Sequence, residues 1–166
     1  VKQGKPSLED FTAQFNVDQL AQFVRGEGMN NPLVCPGTAS AFGGVSDQIR
    51  KYGTLVACCA DGPNGLRYNG TTMQIPMGTA LAATFNPELI STIYHILGNE
   101  LRQHNVDTLL GPGVNIHRHP LNGRNFEYYS EDPYLSGIMT TASTKGLHEA
   151  GICGTVKHFA LNNQET

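Results

Sequence analysis

Charge of either sign is scarce in this chain: charged residues make up 15 % of 166, with 11 basic against 14 acidic for a formal net charge of -3. That balance gives no electrostatic case for nucleic acid or an anionic membrane as partner. No apolar stretch approaches the ~20 residues of a membrane span, and no signal peptide is visible. No Gly-x-Gly-x-x-Gly turn or Walker sequence follows any apolar run, so a dinucleotide-binding fold loses ground. A Gly-x-Ser-x-Gly elbow is also missing, which leaves serine hydrolysis without its motif. The four cysteines, Cys35, Cys58, Cys59 and Cys153, lack metal-ligand spacing. Cys58 and Cys59 fall within an apolar run, where free thiols act as small hydrophobes, and this favours a reducing compartment and a cytoplasmic location. With 19 glycines and few charges the composition is that of a compact, loop-rich enzyme. The triplet Asn69-Gly70-Thr71 is a formal glycosylation sequon that short chance matches explain equally well.

What is present is one local grammar used three times. Leu55 to Ala60 is an apolar run that stops at Asp61-Gly62-Pro63-Asn64-Gly65-Leu66-Arg67. Val106, Leu109 and Leu110 precede a polar, glycine- and proline-rich stretch reaching Pro133, and Ile152 to Val156 delivers Lys157-His158-Phe159. Between these runs lie two helical patterns. Asn86 caps Pro87 and Glu88 ahead of Leu89, Ile93, Ile96, Leu97 and Leu101. Asp132 and Pro133 repeat the device ahead of Leu135, Ile138, Met139 and Ala142, with Gly151 as the stop. An upstream helix is capped by Asn16, presents Val17, Leu20, Phe23 and Val24 as its inner face, and ends at Gly26. The order helix, loop, strand, helix, strand, helix, strand predicts an α/β fold with parallel strands. Polar clusters at three successive strand ends would open on one face, as in a (β/α) barrel. A complete barrel needs roughly 250 residues, so the sequence predicts about the first half of one. The loop-like start, Val1-Lys-Gln-Gly-Lys-Pro6, and the end directly after a polar cluster agree with a partial barrel domain spanning 1–166.

The clusters carry specific chemistry. A strand-end carboxylate such as Asp61, beside the guanidinium of Arg67, stays ionised and accepts hydrogen bonds from vicinal hydroxyls; the alternative is an aspartate capping its own turn. Lys157 and His158 end a strand, and strand alternation would send only one of them into a site unless the backbone bends. Their alternative is a surface lysine beside a satisfied histidine. Glu127 either holds Arg124 or is itself catalytic, whereas Glu131 and Asp132 are explained as acids at a helix N-terminus. His117 and His119 without a third ligand are weak evidence for metal. No metal and no cofactor are expected.

Three motifs in order, Asp61 to Arg67, then Gly123-Arg124-Asn125-Phe126-Glu127-Tyr128-Tyr129-Ser130-Glu131-Asp132-Pro133, then Lys157-His158-Phe159 with Asn162-Asn163-Gln164-Glu165, closely resemble the amino-terminal barrel domain of glycoside hydrolase family 3 in its β-glucosidase branch. The likeness covers nearly the whole chain. It implies retaining hydrolysis of terminal nonreducing β-D-glucosyl residues from β-glucosides and cello-oligosaccharides, as in cellulose degradation. It further implies that Asp61, Arg67, Arg124, Lys157 and His158 line the glucose-binding subsite. The family's nucleophile lies in a Ser-Asp-Trp type motif, and this chain has no tryptophan. The nucleophile aspartate, the acid/base carboxylate and the second domain are therefore expected outside these residues, and this segment alone is expected to be inactive. The implied partners are the glycoside and the remaining segments of the same enzyme, with homo-oligomerisation open. Ala160 to Glu165 departs from the family's N-acetylglucosaminidase branch, while β-xylosidase, another exo-glycosidase or a non-catalytic sugar-binding fragment remain alternatives.

Overall fold

A computed structural model describes residues 7–165. The loop-like Val1–Pro6 run lies outside the described residues. Element order is α1 (Leu8–Thr12), α2 (Val17–Arg25), β1 (Ser40–Gly43), α3 (Asp47–Arg50), β2 (Val56–Asp61), α4 (Gly78–Ala82), α5 (Pro87–Gln103), β3 (Thr108–Leu110), α6 (Pro133–Glu149) and β4 (Cys153–Gly154), with a 3-10 turn at Asn125–Glu127. The four strands form one sheet in the order β1-β2-β3-β4. β2, β3 and β4 are parallel and joined by α5 and α6, as their alternation predicts.

β1 departs from the sequence expectation in two ways: it lies in the segment expected to be loop, and it runs antiparallel to β2, pairing Ser40 with Cys59 and Gly43 with Val56. The link from β1 to β2 contains only the four-residue α3, too short for the helical crossover that parallel strands require. A four-residue strand, Ser-Ala-Phe-Gly, also carries too little alternation to announce itself.

The two long helices start where their caps predict. The Asn86 side chain accepts from the Leu89 amide at 3.0 Å and that of Asp132 from the Tyr134 amide at 2.9 Å. Their buried stripes are rotated from the expected ones. In α5 the inner residues are Ile90, Tyr94, Leu97 and Leu101, while Leu89 and Ile96 remain 41 % and 50 % exposed. Tyr94 is drawn inward because its hydroxyl accepts from Tyr129 at 3.2 Å, and the stripe turns with it. In α6 small residues, Ser136, Ser143 and Gly146, join Met139, Ala142 and Leu147 on the buried side. They bring α6 so close to α5 that a Cβ on Gly146 would lie 2.2 Å from the Ser91 carbonyl oxygen.

α2 also corrects its expected face. Asn16 and Gln19 form a reciprocal capping box that buries Gln19, whereas Val17 and Val24 point to solvent at 80 % and 88 % exposure. Phe23 turns instead onto Phe15, which also meets Tyr52, with ring centroids 5.0 and 4.7 Å away. The main core lies between the sheet and the long helices, where Cys58, Ala60, Leu109 and Ile152 meet the inner stripes of α5 and α6. Side chains alternate along a strand, so Asp61 projects from the opposite face to Ala60, at the carboxyl end of β2.

Candidate functional site

Asp61 is the last residue of β2, and the chain reverses immediately after it. Gly62 has φ +132°, and a Cβ there would lie 1.7 Å from the Gly65 carbonyl oxygen, so the turn requires glycine. Arg67 closes it by donating its amide to the Asp61 carbonyl at 2.9 Å. The Asp61 carboxylate has a more distant task than capping: Oδ1 accepts from Lys157 Nζ at 2.8 Å, across 96 residues of sequence. Oδ2 has Arg67 Nη1 only at 3.7 Å, beyond a direct hydrogen bond, and so keeps accepting capacity toward solvent. Burial pushes this carboxyl up, but the Lys157 hydrogen bond and charge, the Gly62 amide and Arg67 together hold it below the usual aspartate range.

Lys157 and His158 lie beyond the end of β4, so strand alternation does not divide them. Lys157 bridges to Gly113, donating its amide to the Pro112 carbonyl at 3.1 Å and accepting from the Val114 amide at 2.8 Å. Asn115 then grips the His158 backbone twice: its Oδ1 accepts from the His158 amide at 2.6 Å and its Nδ2 donates to the His158 carbonyl at 3.1 Å. The Lys157 side chain is only 14 % exposed and is matched by Asp61, which disposes of the surface-lysine alternative. Burial, followed by the charges of Arg124 and Lys157, lowers the His158 pKa and keeps the ring neutral at pH 7.

Arg124 stands on the loop before α6. Its Nε donates to the buried Glu127 and its Nη1 lies 3.3 Å from Glu165 Oε1. Burial works against this cation, and the Glu127 carboxylate more than compensates, raising its pKa. Glu127 thus holds Arg124 and is not free for chemistry of its own. Asp132 caps α6 as expected.

The two loop histidines are employed in folding the loop. His117 Nε2 lies 3.1 Å from the Tyr128 carbonyl, which can only accept, so this nitrogen carries the hydrogen. His119 Nδ1 accepts from the Leu121 amide at 3.2 Å. Among the described residues no group of three His, Cys, Asp or Glu side chains is placed to hold a metal ion.

All five residues singled out in the sequence, Asp61, Arg67, Arg124, Lys157 and His158, line one open cavity of about 690 Å³ at the carboxyl ends of the parallel strands. A larger opening of about 970 Å³ lies around Cys58, Asp107 and Ile152. Its carboxylate is already engaged, since Asp107 Oδ2 accepts from the Cys58 amide at 2.7 Å. Three contributors escaped the sequence reading: Asn115, which clamps His158, Tyr128, whose hydroxyl is 3.0 Å from His158 Nδ1, and Glu165 as the second partner of Arg124. Asn115 lies in the polar loop, and Tyr128 and Glu165 stand inside the quoted motifs with no site role assigned to them.

Charged side chains around an open cavity at the carboxyl ends of parallel strands are the arrangement of the active-site face of a (β/α)-barrel enzyme domain. Comparison with known sequences narrows this class. The profile of the glycosyl hydrolase family 3 N-terminal domain matches residues 38–164, and the chain belongs to glycoside hydrolase family 3. A β-glucosidase of Ruminococcus albus is 54 % identical over the whole chain, and β-glucosidase A of Butyrivibrio fibrisolvens is 41 % identical, again over the whole chain. The chain spans only 18 % and 20 % of those two relatives. Among solved structures, a β-glucosidase from Paenibacillus barengoltzii superposes with TM-score 0.95 at 56 % identity, covering 99 % of this chain and 18 % of its own. β-Glucosidase 3B of Thermotoga neapolitana in complex with α-D-glucose gives TM-score 0.85 at 36 % identity, covering 95 % of this chain and 24 % of its own.

Proposed function

We propose that these residues supply most of the glucosyl-binding subsite of a retaining β-glucosidase that acts on terminal nonreducing β-D-glucosyl residues of β-glucosides and cello-oligosaccharides. The observation that carries this reading is the convergence of Asp61, Arg67, Arg124, Lys157 and His158 on one cavity, with Asp61 ionised and one of its oxygens open. A neutral sugar is held by many hydroxyl contacts, and ionised partners make the strongest of them. The similarity to β-glucosidases, one of them in complex with glucose, supports the choice of sugar.

In this reading the catalytic carboxylates come from other segments of the enzyme, which are the partners of this one. Retention needs a nucleophile and an acid/base about 5 to 5.5 Å apart. Here Asp61, Glu127 and Glu165 are each committed to a cation. Cytoplasmic residence belongs to the same proposal, supported by four cysteines that are all free; no helix among the described residues is long and apolar enough to cross a membrane.

The test is Asp61→Ala in the complete enzyme, assayed on an aryl β-glucoside. A loss of about 1.5 to 3 kcal/mol in transition-state binding is expected, with Asp61→Asn in between. Wild-type kcat/KM per folded molecule would return Asp61 to the role of a turn and ion-pair residue.

A further inference from the structure

Tyr128 has no assigned task, yet its side chain is fully buried directly behind His158. Its hydroxyl has two neighbours within hydrogen-bond distance: Asn162 Nδ2 at 2.6 Å and His158 Nδ1 at 3.0 Å. The same Asn162 nitrogen lies 2.7 Å from Glu165 Oε1. Glu165 is held ionised by the hydrogen bonds from Asn162 and Arg124, and an ionised carboxylate only accepts, so the amide group facing both partners is the NH2. Asn162 therefore donates to the Tyr128 oxygen. A buried hydroxyl hydrogen must find an acceptor of its own, and among the described residues the acceptor within reach is His158 Nδ1. With Nδ1 accepting and the ring neutral, the hydrogen sits on Nε2.

We propose that Tyr128 is a positioning residue: oriented by Asn162, it donates to His158 Nδ1, fixes the Nε2–H tautomer, and so makes His158 a hydrogen-bond donor to a substrate hydroxyl. This rests on the sugar-subsite reading. The charged groups facing His158 are Lys157 beside it, Arg124 and Glu127 from the loop before α6, and Glu165 from the segment that follows. The two cations oppose protonation of the ring and the two carboxylates favour it, while the Tyr128 hydroxyl occupies the lone pair that a proton would take.

The experiment is a double-mutant cycle in the complete enzyme, pairing Tyr128→Phe with His158→Ala and following kcat/KM on 4-nitrophenyl β-D-glucoside from pH 4 to 8. Tyr128→Phe is expected to lose about tenfold, the order of one buried hydrogen bond, and to move the acid limb of the profile to higher pH. In the His158→Ala background the same change is expected to cost nothing more and to leave the limb in place. Asn162→Ala, which frees the Tyr128 oxygen to accept from Nδ1, is expected to move the limb in the same direction and serves if Tyr128→Phe folds poorly. An unshifted acid limb in both variants, or losses that multiply between Tyr128→Phe and His158→Ala, would overturn the positioning role while leaving the subsite standing. Unchanged kcat/KM in His158→Ala itself would overturn the subsite reading and the proposal with it.

Discussion

Asp61 and Arg124 each face two partners of opposite charge at the cavity, and asparagine would take the charge from the first as lysine would take the planar fork from the second. The depressed Asp61 pKa gives a signed expectation for pH. A carboxyl that titrates lower in the folded than in the unfolded state stabilises fully above its ordinary value of about 3.9, and that contribution is lost as pH falls through the folded value. The urea midpoint gap between wild type and Asp61→Asn should be constant near neutrality and shrink below that value; a gap that widens in acid would contradict the ion pair. Arg124 spans two carboxylates, Glu127 through Nε and Glu165 through Nη1, which a lysine ammonium cannot reproduce. Arg124→Lys is expected to cost about 1.5 to 3 kcal/mol in kcat/KM, and full activity would show that charge alone suffices. The sequence singles out Asp61, Arg67, Arg124, Lys157 and His158 because each stands at or just after an apolar run or within a glycine-containing turn, and the structure brings all five to one cavity. Tyr128 and Asn115 were not legible, because their partner His158 lies 30 and 43 residues away along the chain. No local spacing encodes such a contact.

Among the elements, α5 and α6 were readable from their caps, since Asn86-Pro87 and Asp132-Pro133 bond to amides only two or three residues on. The faces they bury were less readable. The stripe depends on what the helix meets, and here α5 meets the Tyr129 hydroxyl and Gly146 of α6 as well as the aliphatic side chains of the core. Gly146 gives this contact a test. Its added Cβ would press on backbone, the Ser91 carbonyl at 2.2 Å and the His95 amide at 2.9 Å, so neither neighbour can swing away. Gly146→Ala is expected to destabilise by about 1 to 3 kcal/mol, the range for overpacking, despite alanine's better helix propensity. An unchanged or raised urea midpoint would mean that the helices separate at little cost. β1 shows the opposite limit: its antiparallel pairing with β2 follows from the shortness of the link, a property of topology that hydrophobic periodicity does not report.

At the scale of the molecule, the described sheet ends at β4, which pairs with β3 on one side. Beside it Val156, Phe159 and Leu161 expose large apolar side chains at 45 %, 102 % and 74 %. Unpaired strand edges and apolar patches of this kind are aggregation-prone unless covered. Residues 1–166 produced alone are expected to associate in size-exclusion chromatography and to be silent toward aryl β-glucosides. A monodisperse monomer that turns over would move the nucleophile to Glu127 or Glu165. The central claim, that strand ends distant in sequence converge on one sugar ring, is tested most directly by a double-mutant cycle on the complete enzyme. Arg124 and Lys157 are the pair to use, because no hydrogen bond joins their side chains and their carboxylate partners differ. Coupling in kcat/KM that has no counterpart in unfolding free energy then points to a shared ligand. Arg124→Ala, Lys157→Ala and the double variant are expected to be non-additive in kcat/KM on a β-glucoside by more than 0.5 kcal/mol while additive in unfolding free energy, and additivity within about 0.3 to 0.5 kcal/mol in kcat/KM would mean that the two residues do not hold the same sugar.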